Sequence, residues 1–199
     1  MKTHNMEQGS PEWHDIRRGK FTASNFHLLF QGKTTKGYLE LIDRVVYERL
    51  TGVTPESFTN EWMERGKQLE SEALFAYELE TGNKVECVGF IELNEWTGCS
   101  PDGLVDNDGM VQVKCPKWTT MMDYWWSWEV PQNYTIQVQS EMFIAGRAWS
   151  DLYFYHPGLR SIKHHILADI ALQESIKKEL DIAIAAAIFD LQRLKEKMK

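Results

Sequence analysis

The hydrophobic period of the chain changes at Gly82, and that change limits what it can build. Before it, Gly66, Glu70, Ala73 and Tyr77 fall on one stripe of a 3.6-residue period. The spacing predicts a long helix from about Asn60, capped by Thr59 or Asn60, to Gly82. After it, Val85 to Leu93, Gly98 to Asp106 and Met110 to Cys115 read as three strands separated by turn residues. Upstream, Ser10-Pro11-Glu12 reads as a helix start with Ser10 as N-cap, ending at Gly19, and a second short helix begins near Thr22-Ala23-Ser24. Leu39, Ile42, Val46 and Leu50 give Tyr38 to Leu50 a helical period that stops at Gly52. Pro131 opens a helix to about Gly146; Leu152 to Tyr155 and Ile162 to Leu167 are strands; Asp169 to Met198 is a closing helix. Helices, a meander of strands, then helix, strands and helix imply α/β or α+β with a mixed sheet, not a doubly wound parallel one. With 199 residues and no repeat or linker, the chain reads as one domain, 1–199, around one core.

Composition excludes little. Hydrophobic residues make up 43% and charged residues 26%, ordinary for a globular protein. No apolar run approaches membrane-spanning length and no signal-peptide layout is present, so no membrane association and a cytoplasmic location are expected. Cys87, Cys99 and Cys115 form no CxxC or CxH spacing and read as reduced, mostly buried thiols, not a zinc site. The net charge of −7 weighs against a broad phosphate-binding field. It is compatible with nucleic acid if the acids include metal ligands and the cations gather around one cleft.

The chemistry concentrates in Ser100-Pro101-Asp102-Gly103 and Gln112-Val113-Lys114. Residues 112 and 114 of a strand point the same way. A three-residue loop pairing Asp106 with Met110 sets Asp102 opposite Lys114, whereas a two-residue loop at Asp108-Gly109 turns Asp102 to the other face. A shared site therefore predicts the three-residue loop, with Gly109 at positive φ. Such a face suits phosphodiester hydrolysis: an aspartate offers hard oxygen to Mg²⁺, and a lysine orients water or supports developing charge. Strand-edge charges of no consequence would look the same. Glu70, inward on its helix, needs a partner, which a metal or Arg17 would supply equally well. Tyr134 and Gln137 share one side of their helix and Gln139 lies on another; a partly buried polar helix accounts for that pattern without chemistry.

Five ordered blocks resemble the lambda exonuclease or YqaJ-type viral recombinase group of the PD-(D/E)xK nucleases. They are Trp13-His14-Asp15-Ile16-Arg17-Arg18-Gly19 with Thr22-Ala23-Ser24; Arg65-Gly66-Lys67-Gln68-Leu69-Glu70; Ser100-Pro101-Asp102-Gly103; Gln112-Val113-Lys114-Cys115-Pro116; and Tyr134 through Gln137-Val138-Gln139 to Met142. The resemblance implies a restriction-endonuclease-like core, a central mixed sheet flanked by helices. It implies a Mg²⁺-dependent exonuclease (Mn²⁺ a possible substitute) that degrades one strand of double-stranded DNA ends from 5′ to 3′, releases mononucleotides and leaves 3′ overhangs. It further implies a ring-shaped homotrimer, a single-strand annealing protein as partner, and phage or prophage origin in a bacterial host cytoplasm.

By position, Asp102 is a metal ligand, the Val113 carbonyl another, Lys114 the motif lysine and Glu70 the helical acid. Arg17, Ser24, Ser100 and Gln137 match 5′-phosphate-binding positions, with Tyr134 supporting that wall. One departure matters: the family has an acid where this chain has Gln112, which offers Mg²⁺ an oxygen but no charge. Three readings follow. Gln112 is offset by a nearby acid such as Asp106, Asp108 or Glu92; or it is an inactivating substitution; or the protein binds DNA ends without cutting. A nuclease of the same fold with other polarity is a further alternative.

Other features carry less. Lys33 and Lys36, in Gly32-Lys33-Thr34-Thr35-Lys36-Gly37, could touch DNA backbone but fit a solvated turn better, and the glycine spacing is not that of a P-loop. Trp118, Trp125, Trp126 and Trp128, with Met121, Met122 and Tyr124, read by default as core, and as an interface or base-contacting wedge if exposed. His164 and His165 alternate faces and cannot chelate one metal together.

Overall fold

The computed structural model describes residues 1–55 and 61–199. Strands β1 (Lys2–His4), β2 (Phe21–Thr22), β4 (Phe90–Asn94) and β5 (Thr97–Cys99) form a four-stranded sheet ordered β1-β4-β5-β2, in which only the β2–β5 pair is parallel. Strands β3 (Val85–Glu86), β6 (Gly103–Val105), β7 (Gly109–Lys114), β8 (Trp149–Phe154) and β9 (Ile162–Leu167) form a five-stranded sheet in that order, with only β7–β8 parallel. The helices are α1 (Pro11–Arg17), a 3-10 helix (Ala23–Phe30), α2 (Lys36–Thr51), α3 (Glu61–Thr81), α4 (Trp118–Ser127), α5 (Gln132–Ala145) and α6 (Ile170–Lys197). The mixed sheet flanked by helices is thus present, with a second, smaller mixed sheet beside it.

The helix ends follow the sequence. Ser10 Oγ accepts from Trp13 N, Asp169 accepts from Leu172 N, and α2 and α5 close on Gly52 and Gly146 at positive φ. The cap assigned to Thr59 or Asn60 lies outside the described residues. The inward face of α2 is Tyr38, Leu41, Ile42, Val45 and Val46, while Leu39 is exposed. Strand alternation sorts the five-stranded sheet into two faces. Val111, Val113 and Tyr153 pack with Ala73 and Tyr77 of α3; Leu152, Phe154 and Ile162 pack with Met121 of α4 and Val138 of α5. Gln112 and Lys114 belong to the α5 side.

Two strands of the sequence reading break in two. The segment 85–93 leaves the five-stranded sheet after Glu86 and enters the four-stranded one at Phe90. Between them Gly89 lies so close to Met6 that a Cβ would come 2.4 Å from its carbonyl oxygen, and the Gly89 carbonyl accepts from the Trp13 indole. The segment 98–106 divides at Ser100-Pro101-Asp102, where the proline has no N–H for a ladder. Both breaks lie where the chain passes between the sheets.

The hairpin loop has the expected three residues, but they are 106–108: Val105 pairs with Gly109 and Gly103 with Val111. Continued by one step, that register sets Asp102 level with Gln112, not Lys114. Because the shift is by two residues, Asp102 keeps the expected face. The positive φ is at Asp106 (48°), not Gly109, whose missing Cβ makes room for the Trp149 indole 2.0 Å from where a Cβ would stand.

The aromatic segment is a helix that the sequence reading missed, and it is not wholly core. Met121 is buried, but Trp118, Trp126 (81% exposed) and Trp128 face outward. The Lys33 loop is tied to the protein itself, since Lys33 Nζ donates to the Leu29 carbonyl and pairs with Glu179. His164 and His165 do part: one packs on Trp128 and Phe154, the other on Trp149 and Asp151. The cysteines are free, and Cys87 is exposed. Among the described residues no helix is long and apolar enough to cross a membrane.

Candidate active site

At the seam between the sheets lies a cavity of about 170 Å³, lined by Gln8, Trp13, Arg17, Thr22, Ala23, Ser24, Ser100, Asp102, Gln112, Gln137 and Glu141. It has two chemically different walls.

The first wall presents donors. Trp13 and Arg17 stand one turn apart on α1, so the guanidinium lies 4.0 Å over the indole ring. Arg17 Nη1 and Trp13 Nε1 both donate to Ser100 Oγ, at 3.0 and 2.9 Å. Ser24, at the start of the 3-10 helix, lines the same wall beside Thr22, and Gln8 Nε2 ties the Val88 and Pro101 carbonyls together. Burial, then the neighbouring Arg44, lower the Arg17 guanidinium to about 10, so it stays cationic at neutral pH. A buried cation flanked by hydroxyls suits an anion such as phosphate.

The second wall presents oxygen. Asp102 Oδ2 accepts from the Val113 N–H at 2.6 Å and from Gln112 Nε2. Gln112, 3% exposed, keeps its Oε1 buried without a hydrogen-bond partner. Lys114 Nζ lies 5.1 Å over the Tyr134 ring and donates to Gln137 Oε1 at 3.2 Å, while Gln137 Nε2 donates to Glu141 Oε1 at 2.8 Å. A lysine only donates, so Lys114 holds the Gln137 oxygen and leaves Nε2 for Glu141.

Burial raises the Asp102 carboxyl above its ordinary range; Lys114 opposes this and Glu70 adds to it. Burial likewise raises Glu70, again opposed by Lys114. Lys114 thus opposes the effect of burial on Glu70, while the charged groups around Arg17 include Arg44, Glu141 and Glu48. Glu141 is 1% exposed, and burial pushes its carboxyl up to about 8.

The structure brings Arg17, Ser24, Ser100, Asp102, Gln112 and Gln137 to one cavity. Lys114 sits beside it through Gln137, Tyr134 lies under Lys114, and Glu70 is felt electrostatically by Asp102 without lining the cavity. None of the three acids considered as substitutes for Gln112 is there. Asp106 and Asp108 belong to the hairpin loop, about 13 Å along the strand from Gln112. Glu92 is held by Lys20 and His4. Sequence reasoning missed Gln8 and Glu141. Glu141 had a signal: it follows Gln137 by four residues and so shares its helix face.

The donor set fits a hard divalent cation. The cavity lining offers the Asp102 carboxylate and the unpartnered Gln112 carbonyl, and no thiolate or imidazole. Among the described residues no three His, Cys, Asp or Glu side chains gather to hold a metal by themselves. For Gln112 to present oxygen beside Asp102, its amide must turn over, because Nε2 now faces that carboxylate.

The YqaJ-like viral recombinase domain profile matches residues 12–148. The chain belongs to that family. An alkaline exonuclease, LHK-Exo of Laribacter hongkongensis, is 30% identical and superposes with a TM-score of 0.89 over 95% of this chain and 98% of that one; its complex with dAMP matches equally. A phage-related exonuclease of Haemophilus somnus 129PT shares the fold, at 16% identity, a TM-score of 0.67, and 90% and 96% coverage. No curated protein sequence matches. The YqaJ-like segment contains every cavity residue except Gln8 and ends just before β8.

Proposed function

We propose that this chain is a Mg²⁺-dependent 5′→3′ exonuclease of linear double-stranded DNA, releasing mononucleotides and leaving a 3′ single strand for recombination. The observation that carries the reading is the joining, in one cavity, of the Arg17–Ser24–Ser100 wall to the Asp102–Gln112 wall. Arg17 and the two hydroxyls would hold a terminal 5′-phosphate and so place the first phosphodiester beside Asp102. Lys114, steered by Gln137, would support the developing charge or orient the attacking water. A bound Mg²⁺, held by Asp102, the Gln112 carbonyl and the Val113 carbonyl, would supply an activated water and offset transition-state charge. Mn²⁺ would substitute. That a similar alkaline exonuclease is known in complex with dAMP supports a mononucleotide product.

A homotrimeric ring around the duplex, a single-strand annealing protein as partner and action in the cytoplasm of a phage host belong to the same proposal. They rest on family membership alone. Gln112 Nε2 donating to Asp102 favours the rival reading, an end-binding protein that does not cut.

The test is digestion of linear duplexes labelled at either end, with 5′-phosphate or 5′-hydroxyl, in Mg²⁺. The expected result is mononucleotide release from 5′-phosphorylated ends, with circular DNA untouched. Internal fragments or 3′-end release would replace the polarity. End binding without cleavage in Mg²⁺ or Mn²⁺ would establish the rival.

A further inference from the structure

The resemblance to the PD-(D/E)xK nucleases implies an acid where this chain has Gln112, and Asp106, Asp108 and Glu92 all lie outside the cavity lining. One unassigned acid reaches it. Glu141 comes from α5, across the cavity from β7, and lines it together with Asp102 and Gln112. Its Oε1 is pinned by Gln137 Nε2 at 2.8 Å. Its Oε2 is buried and accepts no hydrogen bond, and the same holds for Gln112 Oε1. Buried acceptors are almost always paired, so the unpaired Glu141 oxygen in the lining of a small polar cavity that also holds Asp102 points to something that it would bind.

We propose that Glu141 is the second carboxylate of the divalent-cation site, delivered from helix α5 in place of an acid at position 112. This rests on the metal-dependent reading above. Asp102 and Glu141 together carry the two negative charges that an aspartate and a strand acid would carry, and Gln112 adds a neutral oxygen. The Gln137 amide then has two tasks: its carbonyl steers Lys114, and its N–H holds Glu141 with one oxygen left for the cation. A simple counter-charge for Arg17 is the poorer account of Glu141. Arg17 turns Nη1 to Ser100 and leaves Glu141 Oε2 without a hydrogen bond.

The test is Mn²⁺ binding, by calorimetry on the full chain without DNA, for the native protein, Glu141→Gln, Gln112→Glu and the double variant. Glu141→Gln should weaken Mn²⁺ about tenfold to a hundredfold. The double variant, which returns the acid to the strand, should bind within about threefold of native. Native-like binding by Glu141→Gln would overturn the proposal, as would a double variant no tighter than Glu141→Gln. Binding by Gln112→Glu but not by the native chain would also overturn it, while leaving a nuclease scaffold in place. Conversely, native Mn²⁺ binding that Glu141→Gln weakens, with no DNA cut, would sink the exonuclease reading alone. Should Glu141→Gln not fold, Glu141→Asp gives the same comparison, with weakened binding expected and native affinity overturning.

Discussion

The two faces of the five-stranded sheet both bury carboxylates, and they treat them oppositely. On the α3 side Asp151, 1% exposed, is bonded to the Tyr77 hydroxyl at 2.8 Å, His165 Nδ1 at 2.7 Å and Lys163 Nζ at 3.4 Å. Beside it, Tyr153 and Ser161 both donate to Glu80. On the α5 side Gln112 and Glu141 are as deeply buried, yet each keeps an oxygen without a partner, and the Asp102 carboxyl is raised by its burial. Asp151, Gln112 and Glu141 are buried alike, and satisfaction differs. A paired buried acid contributes to the fold, whereas unpaired acceptors around a cavity mark where the protein gives up stability for binding.

The largest expected effect separates the two faces by activity. Asp102→Asn should lower DNA cleavage by roughly a thousandfold or more while leaving the melting temperature unchanged or higher. Cleavage assays and thermal melts on the same preparation check this, and a lost fold would break the comparison.

Next, Tyr77→Phe on the α3 side removes a donor from buried Asp151 and should cost about 1–3 kcal/mol of stability in urea titration, with cleavage unaffected. Equal loss of activity would mean that the α3 network is part of the site.

The smallest effect is in pH. Glu141 is raised by burial from 4.5 to about 8, so in metal-free protein the folded state holds a proton that the unfolded chain releases. Stability should therefore fall as pH rises from about 4.5 to 8 and level off above that, and Glu141→Gln should flatten this slope. Glu80, lowered chiefly by the Ser161 hydroxyl, has the opposite sign: its contribution is present above its unfolded value and lost as pH falls through the folded one. Melts across pH for native, Glu141→Gln and Glu80→Gln sharpen the contrast.

Local signals in the sequence carried most of the elements. Ser10, Asp169, Gly52 and Gly146 end helices as capping chemistry dictates, and β9 runs from Ile162 to Leu167 as its alternation implies. The division of 85–93 between two sheets was not legible, because it depends on Met6 and Trp13 packing against Gly89 from far along the chain, whereas Pro101 marks in the sequence where 98–106 divides. The hairpin face followed from parity, but its register depended on the Trp149 indole, which no local pattern announces. In the site, Asp102, Gln112 and Gln137 were legible as motif positions. Glu141, the one acid of α5, was legible only as a neighbour of Gln137 on its helix face; its burial beside the Gln137 amide is what the structure adds.

Whether the cavity is competent with an amide at position 112 is tested most directly by digesting 5′-phosphorylated linear duplex in Mg²⁺ with the native chain and Gln112→Glu side by side. The account predicts that the native chain cuts, because its second acid comes from α5. Cleavage by Gln112→Glu alone would contradict it.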